Sequence, residues 1–496
     1  MGERVSVIGS GYVGSVVAAC LAHVGNTVFA VESDPRRLRE LSKGRAPFHE
    51  PGLDPLLTST LEGGSLRFTD DFALAMDNSD VVFVCVGTPA GPDGHPDLSA
   101  LTEVAQLLAR HLRHHHVIVT KSTVPIGTSY WLRSMIEDIA GTTREDGLFS
   151  LVSNPEFLRE GNAVQDYLHP DRVVLGSDDP EALVRVADVY RPILEQSIPG
   201  DVGRRDPIPL LQARMTTAEM IKYASNAFLA TKISFANQIA RLCDYVGADV
   251  TEVTAGMGLD TRIGGRFLDA GLGWGGSCFG KDLEALISTA AEYGYRVPVL
   301  EGTVAVNDRQ RQLVVDQLLG HLRTLRGARV GLLGLAFKPG TDDLRDSPAL
   351  DVACRLLGRG AFVTAYDPMV RSVPSAPGIR IRDDPYEAAA GADALVLATE
   401  WPQFLTLDTE RLRRAMRGDI FYDARNVFDP AAIRAAGFSY VGIGRPELPD
   451  AVPSEPTVSR LVRSGRATLR PSALSFTVPS PGEGNGVLEQ RAALER

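Results

Sequence analysis

The chain has 496 residues, which suggests about three domains at roughly 150 residues per domain. Hydrophobic residues make up 44% of the chain and charged residues 23%, a globular composition that excludes disorder throughout. The 62 acidic and 51 basic residues give a net charge of −11 without a long basic block, so a nucleic-acid partner is not expected. An anionic small ligand stays possible, because a local pocket can be positive when the whole chain is not.

The five cysteines are widely spaced and form no C-x-x-C pair, which argues against a disulfide framework and against a structural zinc site. The N-terminus has no signal-peptide pattern, and no run approaches 18 uninterrupted apolar residues. We therefore expect a cytoplasmic protein with no membrane segment and no metal site.

The first 32 residues have the pattern of a βαβ unit. Arg4–Ile8 predicts a buried strand, residues 9–14 are Gly-Ser-Gly-Tyr-Val-Gly, an apolar helix follows, and Thr27–Val31 predicts a second strand that ends at Glu32. The glycines of such a turn let the backbone approach a pyrophosphate, and the helix N-terminus offers free N–H groups. The acid at the end of the second strand can accept hydrogen bonds from a ribose. The order of these parts predicts dinucleotide binding.

Further strands are predicted at residues 81–86, 117–121, 151–153 and 172–175, and polar residues just after them are candidate site residues. A second, smaller parallel sheet is predicted from strands at residues 330–334, 362–366, 394–398 and 420–422.

Residues 216–246 contain neither Gly nor Pro and predict one helix of about 30 residues between the two halves. Apolar residues spread around this helix, which favours a role as domain connector and dimer surface. The predicted fold is therefore α/β, with two Rossmann-like doubly wound parallel-sheet domains joined by a long central helix. The tail from about residue 447 has little periodicity and is predicted to be disordered.

Cys278 is the cysteine whose surroundings indicate chemistry. It follows a glycine run and precedes Lys281 and Asp282 at the start of a predicted helix. A helix N-terminus and a nearby Lys favour the thiolate, so a lowered pKa is expected. The other four cysteines lie in apolar contexts and are expected to be small buried residues.

Two residue pairs and one histidine run are further candidates. Lys222 and Asn226 are four residues apart and share one face of the long helix, where a Lys can stabilise an oxyanion. Glu156 and Glu160 flank a Phe-Leu pair after a strand. Acidic residues in such a position can also serve only to stabilise the N-terminus of a helix. The histidines at positions 111, 114, 115 and 116 are expected on a solvated surface rather than around a metal.

Several stretches resemble the UDP-glucose/GDP-mannose dehydrogenase family over about residues 1–445. They are VIGSGYVG, VCVGTP, TKSTVP, SNPEFLREG, HPDRVVLG, IKYASNAFLATKISF, GWGGSCFGKD, AFKPGTDDLRDSP, YDARN and YVGIGR. The resemblance implies an NAD-binding domain at residues 1–205, a central helical dimerisation domain with the cysteine loop at 206–320, a UDP-sugar-binding domain at 321–446, and the tail at 447–496. Glu32 stands where Asp is more usual in the family, and Trp274 where Phe or Tyr is more usual.

The resemblance also implies roles for individual residues. The implied catalytic residues are Cys278, Lys222, Asn226, Asp282, Glu156 and Thr123. The implied NAD-binding residues are Gly9, Gly11, Tyr12, Val13, Gly14, Glu32, Arg37, Thr88, Thr123, Glu160, Lys281 and Arg345. The implied substrate-binding residues are Glu156, Phe157, Leu158, Lys222, Asn226, Arg262, Phe267, Leu268, Gly275, Lys338 and Arg425, with Arg262 reaching in from a partner subunit.

The implied reaction is the four-electron oxidation of UDP-glucose to UDP-glucuronate, with two NAD used in turn and a thiohemiacetal and thioester on Cys278. The same chemistry on GDP-mannose or UDP-N-acetylmannosamine is the nearest alternative, although GGSCFGKD and YVGIGR favour UDP-glucose. A two-electron β-hydroxyacid dehydrogenase would lack Cys278 and the second α/β half. An NAD-sensing module would have no reason to keep Cys278, Lys222 and Asp282 together.

Overall fold

The βαβ unit predicted at the N-terminus is present and begins the larger of two sheets. The structure is a computed structural model that describes residues 2–89, 91, 96–143, 146–201 and 205–446. The prediction for residues 447–496 lies outside the described residues, and the bounds of the four predicted segments stay predictions.

The first sheet has eight strands in the order β3-β2-β1-β4-β5-β6-β7-β8. These strands are β1 Arg4–Ile8, β2 Thr27–Val31, β3 Leu66–Thr69, β4 Val81–Val84, β5 His116–Thr120, β6 Phe149–Ser153, β7 Val173–Gly176 and β8 Leu210–Ala213. Neighbouring strands are parallel except β6 and β7, which meet antiparallel at Ser153 and Gly176. The strands β1, β4 and β5 are apolar and almost wholly buried, because helices cover both faces of the sheet.

Nine helices accompany the first sheet within the described ranges. They are α1 Tyr12–His23, α2 Pro35–Leu41, α3 Leu53–Glu62, α4 Phe72–Asp77, α5 Ser99–His111, α6 Thr128–Ala140, α7 Ala163–Leu168, α8 Pro180–Val189 and α9 Arg191–Leu194. Residues 14–22 of α1 are all buried, since this small and apolar helix packs between the sheet and the helices α3 and α7. The N-terminus of α1 therefore stands at the carboxyl edge of β1.

The second sheet has six parallel strands in the order β11-β10-β9-β12-β13-β14. They are β9 Arg329–Leu333, β10 Phe362–Tyr366, β11 Arg380–Ile381, β12 Ala394–Leu397, β13 Ile420–Asp423 and β14 Ser439–Gly442. This order repeats that of the first six strands of the larger sheet, which is the order of dinucleotide-binding folds. Its helices are α14 Pro348–Gly358, α15 Pro385–Ala389, α16 Thr409–Ala415 and α17 Pro430–Ala435, with a short 3-10 turn at Pro402–Thr406.

Four helices connect the two halves, namely α10 Met215–Val246, α11 Val250–Gly258, α12 Phe279–Glu292 and α13 Pro298–Leu322. The helix α10 has 32 residues, and it packs against α12 and α13 on one side. It keeps large apolar side chains exposed elsewhere, among them Phe228 and Leu242. The predicted fold class, two parallel α/β domains joined by a long central helix, is confirmed.

Several local expectations need correction. The second sheet has two strands that the sequence analysis did not predict, β11 and β14. His116 is fully buried rather than solvated, because it lies on the central strand β5 and its ring contacts the carbonyl of Met76. Cys354 is exposed, unlike the other cysteines expected to be buried.

Candidate active site

Two cavities meet at Cys278, at the carboxyl edge of the first sheet. The first has a volume of about 760 Å³ and extends from the N-terminus of α1 to the second half. The second has a volume of about 650 Å³ and lies against α10. Lys121, Leu158 and Cys278 line both cavities. A thiol at this junction can react with a group bound in either one.

The β1–α1 turn fits a dinucleotide. The helix α1 begins after Gly11, and within the described residues no side chain caps its first N–H groups. A Cβ atom on Gly11 would meet nothing within 4 Å in the described part of the chain, so the turn is open on the side where a pyrophosphate would lie. Gly14 has a different reason to be glycine, since a Cβ there would lie 1.8 Å from the carbonyl oxygen of Gly9.

Glu32 supplies a second test of that fit. Its side chain is 2% exposed, and Oε1 accepts hydrogen bonds from the Asp34 N–H at 2.8 Å and from Arg37 Nη2 at 3.0 Å. Among the described residues Oε2 has no hydrogen-bond partner. A buried carboxylate oxygen is costly to leave unpaired. A ribose hydroxyl at this point would satisfy it, so these residues fit NAD.

The structure places the other predicted NAD residues in two groups. Those that line the first cavity are Gly11, Tyr12, Val13, Thr88, Thr123, Glu160, Lys281 and Arg345. Those that form the turn and the end of β2, outside this lining, are Gly9, Gly14, Glu32 and Arg37. Thr88 Oγ1 donates to the carbonyl of Thr123 at 2.6 Å, which joins the ends of β4 and β5 at the cavity wall.

Cys278 directly precedes α12, as the sequence predicts, but its pKa moves in the opposite direction from the one expected. Burial raises the pKa of the Cys278 thiol above its ordinary value, and the nearby Glu156 raises it further. Lys222 and Lys281 act to lower it and do not compensate. The local sequence shows Lys281 and the helix start, whereas Glu156 comes from the segment after β6. The thiol is therefore protonated in the resting site.

Five charged or polar side chains around Cys278 form two hydrogen-bonded groups. Lys222 Nζ donates to Glu156 Oε1 at 3.0 Å, and both side chains are buried. Asp282 is fully buried and accepts from Asn226 Nδ2 at 2.6 Å and from Lys281 Nζ at 2.7 Å. Lys222 and Asn226 lie on one face of α10, where the sequence analysis expected a partly dry surface, and both are buried there.

Electrostatics fix the charge of the Lys222–Glu156 pair. Burial alone would lower the pKa of Lys222, but Glu156, Cys278 and Asp282 outweigh it and the pKa lies above its ordinary value. Burial alone would raise the pKa of Glu156, but Lys222 and the Leu158 N–H outweigh it and the pKa lies below its ordinary value. The site thus holds a fixed ammonium and a fixed carboxylate beside the thiol at neutral pH.

The glycine-rich loop before Cys278 is held by the central helices. Trp274 donates its Nε1–H to Ser234 of α10 at 2.9 Å, and its backbone N–H donates to Asn307 of α13 at 2.8 Å. Arg311 Nη2 donates to the Trp274 carbonyl at 2.9 Å. The loop also touches the second half, since a Cβ on Gly275 would lie 2.0 Å from the carbonyl oxygen of Asp346. These contacts set the position of Cys278 between the halves.

The second cavity is rich in cationic side chains. Those at its wall are Lys121, Arg159, Arg172, Lys222, Lys232 and Arg266. Asp166 and Asp171 are its acidic side chains, so positive groups are in excess. A diphosphate is the kind of anion that such a wall can bind.

The predicted substrate residues divide between this cavity and its surroundings. Phe157, Leu158, Lys222, Asn226 and Phe267 line the second cavity, and Glu156 lines the first. Leu268 is buried, and Gly275 contacts the second half. The other three predicted residues, Arg262, Lys338 and Arg425, lie outside both linings.

Those three residues differ in how they could reach a ligand. Arg425 lies beside Gly271 of the loop, and Nη2 is buried with no hydrogen-bond partner among the residues described. Lys338 is half-buried near Glu160 and Arg159, and burial lowers its pKa. Arg262 has an 87% exposed side chain that pairs with Asp260, and it lines neither cavity of its own chain.

Two further residues at the site received no role in the sequence analysis. Lys121 is buried, lines both cavities, and donates to Asn154 Oδ1 at 3.1 Å and to the Tyr190 hydroxyl at 3.3 Å. Ser277 donates to Glu160 Oε1 at 3.0 Å. The polar TKST stretch after β5 was a signal for Lys121, whereas nothing in the local sequence links Ser277 to Glu160.

A dinucleotide-type half, a second half of the same strand order, and a buried cysteine between two cavities define a two-domain dehydrogenase. Among the described residues, no three His, Cys, Asp or Glu side chains are grouped so as to hold a metal. In that same part of the chain, no helix combines the length and apolarity needed to span a bilayer.

Sequence comparison agrees with this architecture. Residues 3–194 match the NAD binding domain of the UDP-glucose/GDP-mannose dehydrogenase family, residues 216–309 its central domain, and residues 331–430 its UDP binding domain. The UDP-glucose 6-dehydrogenase of Rhizobium meliloti (strain 1021) is 45% identical over 451 residues, which cover 90% of this chain and 100% of that one.

Two solved structures are similar over nearly the same span. A UDP-glucose dehydrogenase from Pyrobaculum islandicum has a TM-score of 0.80 at 38% identity and covers 90% of this chain and 98% of its own. A UDP-D-ManNAc dehydrogenase from Pyrococcus horikoshii has a TM-score of 0.79 at 28% identity, covering 89% and 99%. The chain belongs to the UDP-glucose/GDP-mannose dehydrogenase family.

Proposed function

We propose that this chain oxidises UDP-glucose to UDP-glucuronate with two NAD per sugar, through a covalent intermediate on Cys278. The observation that carries the proposal is the position of the Cys278 thiol at the junction of the two cavities, beside the Lys222–Glu156 pair. Relatives that are 39–45% identical carry the name UDP-glucose 6-dehydrogenase. An enzyme of two-electron oxidation would need no thiol at this point.

The cavities divide the substrates between them. The first cavity, with the open turn at Gly11 and the acid Glu32 beyond it, takes NAD, which when bound accepts a hydride in each of the two oxidations. The second cavity takes the nucleotide sugar, with its diphosphate among the cationic side chains and its primary alcohol toward Cys278. Arg425 and Lys338 of the second half reach the nucleotide from the opposite side.

The residues around the reacting carbon have separate tasks in this proposal. Asp282, oriented by Asn226 and Lys281, lies beside the primary hydroxyl and the water near it. The sulfur of Cys278 adds to the aldehyde carbon, and the oxygen that becomes negative is stabilised by the Lys222 ammonium. The second oxidation turns this thiohemiacetal into a thioester.

Hydrolysis of the thioester completes the reaction. Glu156 has a depressed pKa and is ionised at neutral pH, so it can accept a proton from an attacking water. Thr123 lines the same cavity and is placed to orient that water. The products are UDP-glucuronate and the free thiol, and the four electrons lost by the sugar are carried by two NADH.

The test is NADH production against a panel of nucleotide sugars, with stoichiometry. UDP-glucose should give two NADH per sugar at the highest kcat/KM of the panel. GDP-mannose and UDP-N-acetylmannosamine are the alternatives for the same chemistry, and a higher kcat/KM with either would replace UDP-glucose as the substrate. A yield of only one NADH per sugar with the preferred substrate would contradict the four-electron reaction.

The second part of the proposal is a homodimer, or a higher homo-oligomer that contains it, formed on α10. Met220, Phe228, Phe235 and Leu242 of this helix are large apolar side chains that are 43–66% exposed. Phe228 also lines the second cavity, which brings the exposed face next to the site. Arg262, exposed on its own chain, would then reach the cavity of the partner.

Mixed subunits test this arrangement directly. Arg262→Ala and Cys278→Ala chains are each expected to be nearly inactive alone. A hybrid of the two holds one site with Cys278 from one chain and Arg262 from the other, so about half of the wild-type activity per dimer should return. No recovery in hybrids, or a fully active monomer in sedimentation, would contradict the proposal.

The cytoplasm stays the proposed location, because all five cysteines are free.

A further inference from the structure

The Cys278 thiol has to lose a proton before it can add to an aldehyde, and among the described residues neither Glu156 nor Asp282 forms a hydrogen bond with its Sγ. Glu156 already accepts from Lys222 and from the Leu158 N–H, at 3.0 and 2.6 Å. Asp282 accepts from Asn226 and Lys281 on its two oxygens. Lys222 is charged and has no lone pair to offer.

Ser277 provides a different connection from the thiol to a carboxylate. Its Oγ lies 3.6 Å from Cys278 Sγ, within the range of a sulfur hydrogen bond. The same Oγ donates to Glu160 Oε1 at 3.0 Å. Sulfur, hydroxyl and carboxylate thus form a continuous chain from α12 into the first half.

We propose that Ser277 relays the proton of the Cys278 thiol to Glu160, which acts as the base for thiol activation. The proposal rests on the covalent role of Cys278 given above. In the step, the S–H bond of Cys278 breaks and its proton moves to Ser277 Oγ, while the Ser277 hydroxyl proton moves to Glu160 Oε1. The electron pair left on sulfur forms the bond to the aldehyde carbon, and the π pair of the C=O bond moves to its oxygen, beside the Lys222 ammonium. Nothing is oxidised or reduced in this step.

The surroundings of Glu160 suit this role. Burial and the neighbouring Asp343 raise the pKa of Glu160 to about 7, so it holds a proton more strongly than an ordinary carboxylate does. Arg345 donates to the same oxygen at 3.0 Å and limits the rise. Tyr12 and Lys338 are the other titratable groups that interact electrostatically with Glu160.

The thiol faces charges of both signs from several elements. Glu156 and Asp282 disfavour the thiolate, and Lys222 and Lys281 favour it. Arg345 adds a positive charge from the second half. Transfer of the proton to Glu160 keeps the net charge of the group unchanged, which avoids creating an extra charge in a buried site.

Alkylation of the enzyme without substrates tests the relay independently of turnover. The probe is iodoacetamide, and modification of Cys278 is followed by peptide mass spectrometry from pH 5.5 to 10. The wild-type rate should rise with an inflection near the pKa of Glu160, about 7. In Ser277→Ala this inflection should disappear, with a rate at pH 7 lower by about tenfold or more. Glu160→Gln should have the same profile, and the double variant should add no further loss.

Ser277→Thr is the matched control, because it keeps the hydroxyl and should keep the wild-type profile. If the Ala and Thr variants both retain the inflection near pH 7, or if both lose it while circular dichroism shows a native fold, the hydroxyl is not a relay. With saturating NAD and UDP-glucose, Ser277→Ala should form the first NADH at the wild-type rate and the second about tenfold more slowly. Equal slowing of both would contradict the relay.

The two proposals fail in different ways. Loss of the relay would leave a wild-type enzyme that still forms two NADH per sugar through Cys278. Failure of the covalent role would appear as UDP-glucuronate formation by Cys278→Ala, whatever the alkylation profile of Ser277→Ala.

Discussion

The two halves of the molecule place an acid at the same point of the same fold and use it differently. Glu32 follows β2 of the first sheet, and Asp367 follows β10, the equivalent strand of the second. Both side chains are buried. Within the described residues Glu32 has one carboxylate oxygen with no hydrogen-bond partner. Asp367 has partners on both of its oxygens.

The partners of Asp367 come from its own half. One oxygen accepts from the backbone N–H groups of Leu335 and Ala336 at 2.7 and 3.0 Å, and from Trp401 Nε1 at 3.3 Å. The other accepts from the N–H groups of Met369 and Val370 at 2.9 and 3.1 Å. The turn after β9 corresponds to the turn that holds a pyrophosphate in a dinucleotide site. Here its backbone N–H groups are hydrogen-bonded to Asp367 instead. The second half keeps the fold without an open dinucleotide site of this kind.

Asp367→Ala should have the largest effect on stability. It leaves four backbone N–H groups and one indole N–H without their acceptor, so the free energy of unfolding should fall by about 4 kcal/mol. The KM for NAD should stay close to that of the wild type. Chemical denaturation followed by circular dichroism, together with steady-state kinetics, measures both. A large rise in the KM for NAD at unchanged stability would contradict the comparison.

Lys121→Met should stabilise the protein at neutral pH. Burial lowers the pKa of Lys121 from 10.5 to about 8, so the unfolded chain binds the proton more strongly. Wild-type stability should therefore rise as the pH goes from about 8 to 10.5, and the cost of burying the charge is fully present below pH 8. At pH 7 the Met variant should gain about 3 kcal/mol, because each pKa unit corresponds to about 1.4 kcal/mol.

Removal of the Lys121 ammonium should leave its hydrogen-bond partners paired with each other. The Tyr190 hydroxyl donates to Asn154 Oδ1 at 2.7 Å, so the two remain bonded to each other when the ammonium is removed. Unfolding free energies of both proteins from pH 6 to 10.5 provide the measurement. The two curves should converge near pH 10.5, and parallel curves would show that Lys121 does not titrate differently in the folded state.

Glu32→Ala is the counterpart of Asp367→Ala and should affect NAD binding rather than stability. Removal of the free acceptor should raise the KM for NAD by about tenfold, about 1.4 kcal/mol, with little loss of stability. It should also narrow the preference for NAD over NADP, because the negative charge that opposes a 2′-phosphate is gone. Kinetics with both cofactors test this. A wild-type enzyme with equal kcat/KM for NAD and NADP would contradict the role of Glu32.

Truncation after Pro449 should have the smallest effect. The matched domains end at residue 430, and the relative from Rhizobium meliloti is covered to 100% of its length by 90% of this chain. The shortened enzyme should keep its activity within about twofold. Loss of activity in a chain that is still folded would give the last residues a part in the site or in assembly.

The local part of the site could be predicted from sequence and the long-range part could not. The glycine turn, Glu32 and the pairing of Lys222 with Asn226 on one helix face follow from short spacings. The raised pKa of Cys278 depends first on burial and then on Glu156, which is 122 positions away in the chain. Packing of α10 against β6 and β7, and of α12 against α10, brings the two residues close. The hydrogen bond from Ser277 to Glu160 and the full set of hydrogen-bond partners of Asp367 depend on packing in the same way.

The central claim is that Cys278 carries the sugar between two oxidations, and single-turnover NADH yield with Cys278→Ala tests it most directly. With enzyme in excess over UDP-glucose and saturating NAD, the wild type should release two NADH per sugar, and intact-protein mass spectrometry of the quenched reaction should detect a sugar-nucleotide adduct. The Ala variant should bind UDP-glucose, form no adduct and make UDP-glucuronate only at a background rate. UDP-glucuronate formation by Cys278→Ala at close to the wild-type rate would contradict the account.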